Sequence, residues 1–360
     1  MMKPLFLSLL LLPQLICAQQ YAPADTMRSA DTICFAAVGD LMLGSNYPGP
    51  EYLSPDDGAL LLKPVWPWLR SADVAFGNVE GTIFKGPGTV KNCQDPTKCY
   101  AFRSPAHYTT HLNNAGFDLM SLANNHMGDF GEEGRRSTLR NLEKQGMAAA
   151  GLLIKPFAMI ERKGLKIGLL AFAPNSGCLS LNNLEEAQKL VKRYRDSVDV
   201  LMVSFHGGAE GSGHRYVPKQ KELFLGENRG DVYAFAHVMI DAGADLLLGH
   251  GPHVTRAVEV YKGRFIAYSM GNFCTYARFN LKGVNGMAPL LRIFTDRSGT
   301  FLYAHVIPTR QYGEGGPVLD PQGAVIQEIK TLTQTDFAGG GLRLESEFLL
   351  TPLPKTRVAP

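Results

Sequence analysis

The chain has 360 residues, 45% of them apolar, which is ample for a buried core in one large domain or two. Lys and Arg (36) nearly balance Asp and Glu (33), and the formal net charge is +3. That balance excludes the basic excess of a nucleic-acid-binding surface. A local basic cluster, Lys189, Lys192, Arg193 and Arg195, falls on an expected helix and reads as a solvated face.

The N-terminus carries Lys3, then an apolar stretch from Leu5 to Ile16 interrupted by Pro13, then Ala18 before Gln19. A basic start, a short apolar run and a small residue at its exit describe a secretory signal peptide over residues 1–18. The run is too short for an ordinary transmembrane helix. Cys17 opens a lipoprotein reading, with membrane association, but Leu15 and Ile16 stand where a lipidation signal takes small residues, so simple cleavage is expected. Residues 19–31 read as a polar linker. Export to the periplasm or cell envelope follows, and with it an oxidising compartment. There Cys93 and Cys99, which bracket the polar loop NCQDPTKC, are expected to form a loop-closing disulfide. A zinc knuckle is the alternative, with no second Cys or His pair at ligand spacing nearby. Cys34 reads as a buried thiol, and Cys178 and Cys274 either pair or stay reduced.

Ordered structure is expected from Thr32. Short apolar runs recur: ICFAAVG, DVAFGN, DLMSLANN, KIGLLAFA, DVLMVSFHGG, DLLLGHGPH and FIAYSMGNF. Continuous apolar runs of this length fit strands buried on both faces. Helical patterns fall between them, at Pro105–Ala115, Glu132–Gln145, Leu184–Ser197 and Val232–Ala242, several of them stopped by a glycine. Alternating strands and helices predict an α/β layered fold. Leu290 to Ile307 predicts a β-hairpin turning at Ser298-Gly299. The main domain is expected over residues 32–310, followed by a Gly- and Pro-rich, β-rich extension over 311–360.

Polar residues recur at the C-terminal ends of these strands, the edge at which ligands bind in open α/β sheets. Asp40 follows AAVG, Glu80 follows AFGNV, and Asn125 and His126 follow MSLAN. His206 follows LMVSF, His250 and His253 follow DLLLG, and Asn272 follows AYSMG. Any one of these alone reads as a turn or cap residue. Together they place four of the chain's nine histidines in one kind of position, with carboxylates beside them. In GHGPH, two glycines and a proline hold two imidazoles three residues apart on a stiff loop. Carboxylate, amide oxygen and imidazole form a mixed donor set that suits Mn, Fe or Zn, one ion or two.

Six segments then carry a resemblance: VGDLMLG from Val38, FGNVEGTIF from Phe76, SLANNHMGDFG from Ser121, SFHGGAE from Ser204, GADLLLGHGPHV from Gly243 and YSMGNF from Tyr268. In this order they resemble the CapA, or poly-gamma-glutamate capsule synthesis, family, which is similar to the calcineurin-like metallophosphoesterases. The resemblance implies a metallophosphoesterase-like β-sandwich flanked by helices. It also implies metal ligands at Asp40, Glu80, Asn125, His206, His250 and His253, with Glu80 in the bridging place. His126 would face the substrate, oriented by Asp129. Two positions depart from the pattern. Met42 stands where phosphoesterases carry a histidine, so one metal position is short of a ligand, and Gly207 stands where the family often has an aromatic residue.

The resemblance implies a metal-dependent hydrolase or transferase acting on a cell-envelope polymer such as poly-gamma-glutamate. Glu210 and Asn272 would be substrate-binding, and Lys91, Arg103, Arg135, Arg136 and Arg215 could supply cations for a polyanion. A non-catalytic polymer-binding accessory protein and a periplasmic phosphodiesterase are the alternatives.

Overall fold

The run ICFAAVG opens strand β1, Ile33–Met42, and every residue of that strand is buried. Its side chains alternate between two cores: Phe35 and Ala37 face one, Ala36 and Val38 the other. This is why the segment is apolar throughout rather than alternating. The computed structural model from which this is read describes residues 29–92, 99–339, 341–345 and 348–353. The expected signal peptide and the linker up to residue 28 lie outside them.

Among the further strands are β2 Val74–Val79, β3 Leu119–Ser121, β4 Ala148–Ala150, β5 Phe157–Arg162, β6 Leu165–Ala173, β7 Val200–His206 and β8 Leu246–His250. Then follow β9 Val258–Tyr261, β10 Arg264–Ala267, β11 Asn272–Thr275, β12 Met287–Thr295, β13 Phe301–Gln311, β14 Leu342–Leu344 and β15 Leu349–Pro352. One mixed sheet runs β14-β15-β13-β12-β1-β2-β3-β4, with β11 added beside β1; the other runs β9-β10-β8-β7-β6-β5. Phe35, Phe76, Ile293 and Val306 of the first sheet meet Ile167, Met202, Leu246 and Phe265 of the second in one core between the sheets. Each such large apolar side chain, fully buried, contributes about 1.5–3 kcal/mol.

Helices cover the outer faces. Helices α1, Tyr108–Ala115, and α2, Gly131–Lys144, put Tyr108, Leu112 and Leu142 onto the first sheet. Helices α3, Leu184–Arg195, and α4, Val232–Asp241, put Val191, Phe235 and Met239 onto the second. The result is an α/β fold of mixed sheets flanked by helices. Asn183 and Asp231 cap α3 and α4 by accepting the backbone N–H of Glu186 (3.1 Å) and Ala234 (2.8 Å). Of the basic cluster of α3, Lys192, Arg193 and Arg195 lie in the last turn and complement the helix dipole, Arg195 pairs with Asp245, and Lys189 pairs with Glu185 one turn earlier.

The four expected helices and the hairpin fall where expected, with ends shifted by up to four residues. Two segments differ. FIAYSMGNF is not one strand: β10 ends at Ala267 in the second sheet and β11 begins at Asn272 in the first, so the chain crosses between sheets at Tyr268–Gly271. The stretch after Gln311 holds helix α5, Ala324–Asp336, whose Val325, Ile326, Ile329 and Leu332 are buried, and β14 and β15 then extend the edge of the first sheet. Glycines on either side of α5 mask a short helical period in the sequence. Cys178 and Cys274 are buried free thiols, and Cys34 is buried in β1. Cys99 is disulfide-bonded; Cys93, its expected partner, lies outside the described residues. Among the described residues no helix is long and apolar enough to cross a membrane.

Candidate metal centre

Strand register brings the polar residues to one level. Asp40 pairs across β1 with Asn78 of β2 on one side and Asn272 of β11 on the other, and His206 of β7 pairs with His250 of β8. Gly39 lets β1 close on the crossing segment, since a Cβ there would lie 1.9 Å from the carbonyl oxygen of Gly271. Asp40 N–H donates to that same oxygen at 2.9 Å.

Asp40 and Glu80 are both fully buried. The amide of Asn78 donates to Asp40 Oδ1 and to Glu80 Oε2, at 2.9 Å each. Asn124 fixes that amide by donating to Asn78 Oδ1 (3.1 Å) and to the carbonyl of Val79 (2.7 Å). The histidines close around the carboxylates. His206 Nε2 is 3.3 Å from Glu80 Oε1, and His250 Nδ1 is 3.2 Å from Asp40 Oδ1. His253 touches both acids, with Nδ1 3.1 Å from Asp40 Oδ2 and Nε2 3.6 Å from Glu80 Oε1. It holds this place in a left-handed backbone conformation, φ 57°, just after Gly251.

Burial and charge shape the titration of the cluster. Burial opposes ionisation of Asp40, but hydrogen bonds from His250 and His253 outweigh it and hold the carboxyl well below its ordinary value. Burial pushes Glu80 well above the usual range, with the charge of Asp40 adding to it. Burial and the Arg229 guanidinium keep His206 neutral, its pKa well below the ordinary value. For His253 burial works the other way and is overcome by the charge of Glu80 and the bond to Asp40, which raise it to about 10.

The residues fit a divalent cation. Ligand atoms of Glu80, His206 and His253 all lie within 4.8 Å of one another. His206 Nδ1, His250 Nε2 and Asn125 Oδ1 are buried with no hydrogen-bond partner among the described residues. Buried polar atoms are rarely left so unless an ion or water takes them. A second group, Asp57, His107 and His111, has ligand atoms equally close but lies largely exposed beside α1.

Beside the cluster, His126 Nδ1 lies 2.9 Å from Asp129 Oδ2, which also accepts the N–H of Phe102 at 2.8 Å. Lys91 pairs with the other oxygen of Asp129 at 2.5 Å. Glu210 accepts from Arg229 Nη1 at 2.8 Å, and its charge reaches Glu80 and His253. Asn272 is buried and donates to the carbonyls of His253 (3.2 Å) and Asn285 (3.3 Å), so its amide nitrogen secures the histidine loop, while its Oδ1 has no partner among the described residues. Met42 is buried next to the Glu80–Gly81 turn. A side chain at residue 207 would strike the carbonyl oxygen of Arg229, 2.8 Å from a Cβ, which is why glycine stands there.

Three residues at the site were not anticipated: Asn78, Asn124 and Arg229. Asn78 ends the DVAFGN strand, so the strand-end rule that selects Asp40 would have selected it too. Asn124 is the first of two adjacent asparagines, and nothing in the sequence separates their roles. Arg229 lies on the short hairpin strand Glu227–Gly230, far from every segment that carried the resemblance.

A helix-flanked pair of mixed sheets with a buried carboxylate–imidazole cluster at the strand ends defines the class: an α/β protein with a candidate mixed oxygen–nitrogen metal centre. The match to the family described as Bacterial capsule synthesis protein PGA_cap runs over residues 34–277, and the chain belongs to that family. It is 27% identical over 265 residues to the capsule biosynthesis protein CapA of Bacillus anthracis, covering 68% of this chain and 60% of that protein. It is 28% identical over 263 residues to the PGA biosynthesis protein CapA of Bacillus subtilis (strain 168), covering 68% of this chain and 64% of that protein. The chain thus spans about three fifths of the length of these relatives. A hypothetical protein from Thermus thermophilus superposes with a TM-score of 0.47 at 16% identity, over 79% of this chain and all of that one.

Proposed function

We propose that the protein is an exported, metal-dependent hydrolase or transferase that acts on an anionic cell-envelope polymer during capsule assembly, with a site of metallophosphoesterase type. The observation that carries this reading is the cluster of ligand atoms of Glu80, His206 and His253, all within 4.8 Å of one another, beside the second buried carboxylate, Asp40. Asp40, Glu80, Asn125, His206, His250 and His253 would hold one or two ions of Mn, Fe or Zn. Such an ion, when bound, lowers the pKa of water and polarises a phosphoryl or carbonyl oxygen.

The chain's own residues do the rest. Asn78 keeps the two carboxylates fixed before any ligand arrives. Asp129 accepts from His126 Nδ1, which leaves Nε2 as the atom that exchanges a proton with a leaving group. Phe102 packs on the His126 ring at 4.5 Å and limits water on that side. Glu210, and Asn272 through the loop it secures, position substrate at the rim. Export rests on the residue pattern of 1–18.

Met42 favours a second reading, a polymer-holding accessory protein without turnover, because a thioether is a poor partner for these metals. Activity on an aryl phosphodiester with added Mn decides between the two. Turnover lost in His126→Ala, with Mn uptake retained, supports the enzyme. Mn uptake with no turnover on the diester or on poly-gamma-glutamate supports the accessory role.

A further inference from the structure

The second group of ligand atoms lies at the start of α1, in residues that the central cluster does not use. Two histidines stand four residues apart there, His107 at the N-cap and His111 one turn on. Side chains at this spacing share one face of a helix. The turn Pro55–Gly58 brings Asp57 against them. His107 Nε2 contacts Asp57 Oδ2, and His111 Nε2 lies 2.9 Å from the main-chain oxygen of the same residue. Both imidazoles thus present Nε2 to a single residue. One ligand atom from each of Asp57, His107 and His111 falls within 4.8 Å of the others.

The three side chains are set in place by their surroundings. Asp56 and Asp57 both take left-handed conformations, φ 52° and 54°, which Asp tolerates better than most residues other than glycine. Tyr108, next to His107 in sequence, is buried, and its ring lies 5.2 Å from the His107 ring and 5.3 Å from that of His111. The two imidazoles rest on this fixed base, 5.9 Å apart and nearly perpendicular. Among the described residues no Lys or Arg pairs with Asp57, so its charge meets only the imidazoles.

The donor set decides the ion. Two imidazoles and one carboxylate suit zinc, whereas calcium and magnesium take oxygen ligands. Manganese stands at the weak end of the affinity order, so three exposed ligands should leave it unbound where zinc binds. Asp57 and His107 are more than half exposed, which lets water complete a tetrahedral shell. We infer that Asp57, His107 and His111 form a second metal site, separate from the cluster around Asp40 and Glu80, that takes zinc and ties the turn Pro55–Gly58 to helix α1. The ion joins segments 50 residues apart in sequence. An ion held only by the folded arrangement stabilises it. The inference is independent of the polymer reading above.

The test is zinc content of the mature chain after dialysis against zinc, with thermal melts on the same samples. His107→Ala/His111→Ala should hold about one zinc fewer per chain than the wild type, and zinc should raise its melting temperature less. Asp57→Asn keeps the left-handed turn, which Asn also adopts, and removes the anionic ligand. It should weaken zinc binding with little change in the metal-free melt, since an exposed ion pair contributes little. The loss of about one zinc should recur on the His206→Ala/His253→Ala background, where the central cluster is disabled. A failure of that cluster therefore leaves this result readable. Equal zinc content in the wild type and in His107→Ala/His111→Ala would overturn the inference, and so would an equal rise in melting temperature with zinc.

Discussion

Asp40 and Glu80, 40 residues apart in sequence and both fully buried, are joined by the two hydrogens of one amide, that of Asn78. Two carboxylates so placed would repel each other, and the field of Asp40 is part of what raises Glu80. Asn78→Ala removes both donors at once. An unpaired buried carboxylate costs about 1–3 kcal/mol or more, so the variant should melt several degrees lower. Loss of a residue that orients ligands should also weaken Mn binding by about 10–100-fold. Thermal melts with and without Mn measure both, and an unchanged melt would remove Asn78 from this role.

In the chelated chain His253 is raised to about 10, above the ordinary value of about 6.5, by the carboxylates it touches. A raised folded-state pKa gives stability that is complete below the unfolded value and lost as pH rises through about 10. Glu80, also raised, acts in the same direction. The chelated chain should therefore melt progressively lower from pH 7 to 10. Neutral imidazole is the binding form, so Mn uptake at pH 7 should release a proton from His253. Calorimetry in PIPES and in Tris reads this as a buffer-dependent heat. Equal heats in the two buffers would count against it.

Met42 offers a gain-of-ligand experiment. It sits buried beside the turn that carries Glu80 and Gly81. Met42→His should tighten Mn binding, since an imidazole is a far better ligand than a thioether. Without metal, the buried ring should cost about 1–3 kcal/mol. The melting shift on adding Mn should accordingly be larger than in the wild type. An unchanged Mn affinity would show that side chains at this position do not reach the centre.

Much of the architecture was legible because buried strands must be apolar on both faces: β1, β6, β7 and β8 fall within or largely on the runs ICFAAVG, KIGLLAFA, DVLMVSFHGG and DLLLGHGPH. The convergence of Asp40, Glu80, His206, His250 and His253 followed from one rule, that functional groups gather at strand C-termini. What stayed hidden depends on register and long-range contact. Asn78 joins the site because β2 pairs with β1 at Asp40. Arg229 acts on His206 from a hairpin with no motif of its own. The sheet switch at Tyr268–Gly271 is invisible in an unbroken apolar run, and the edge-on contact of Phe279 with His253 follows Ala277 and Arg278, two non-glycine residues in left-handed conformations that no sequence pattern signals.

The central claim is that the cluster around Asp40 and Glu80 holds a divalent metal ion. Equilibrium dialysis of the purified mature chain against Mn, followed by elemental analysis, tests it most directly, with His206→Ala/His253→Ala in parallel and His107→Ala/His111→Ala as the control for the surface group. Tight Mn uptake in the wild type and in the surface variant, lost in His206→Ala/His253→Ala, is the predicted result. Uptake that survives in His206→Ala/His253→Ala, or none in the wild type, would contradict it.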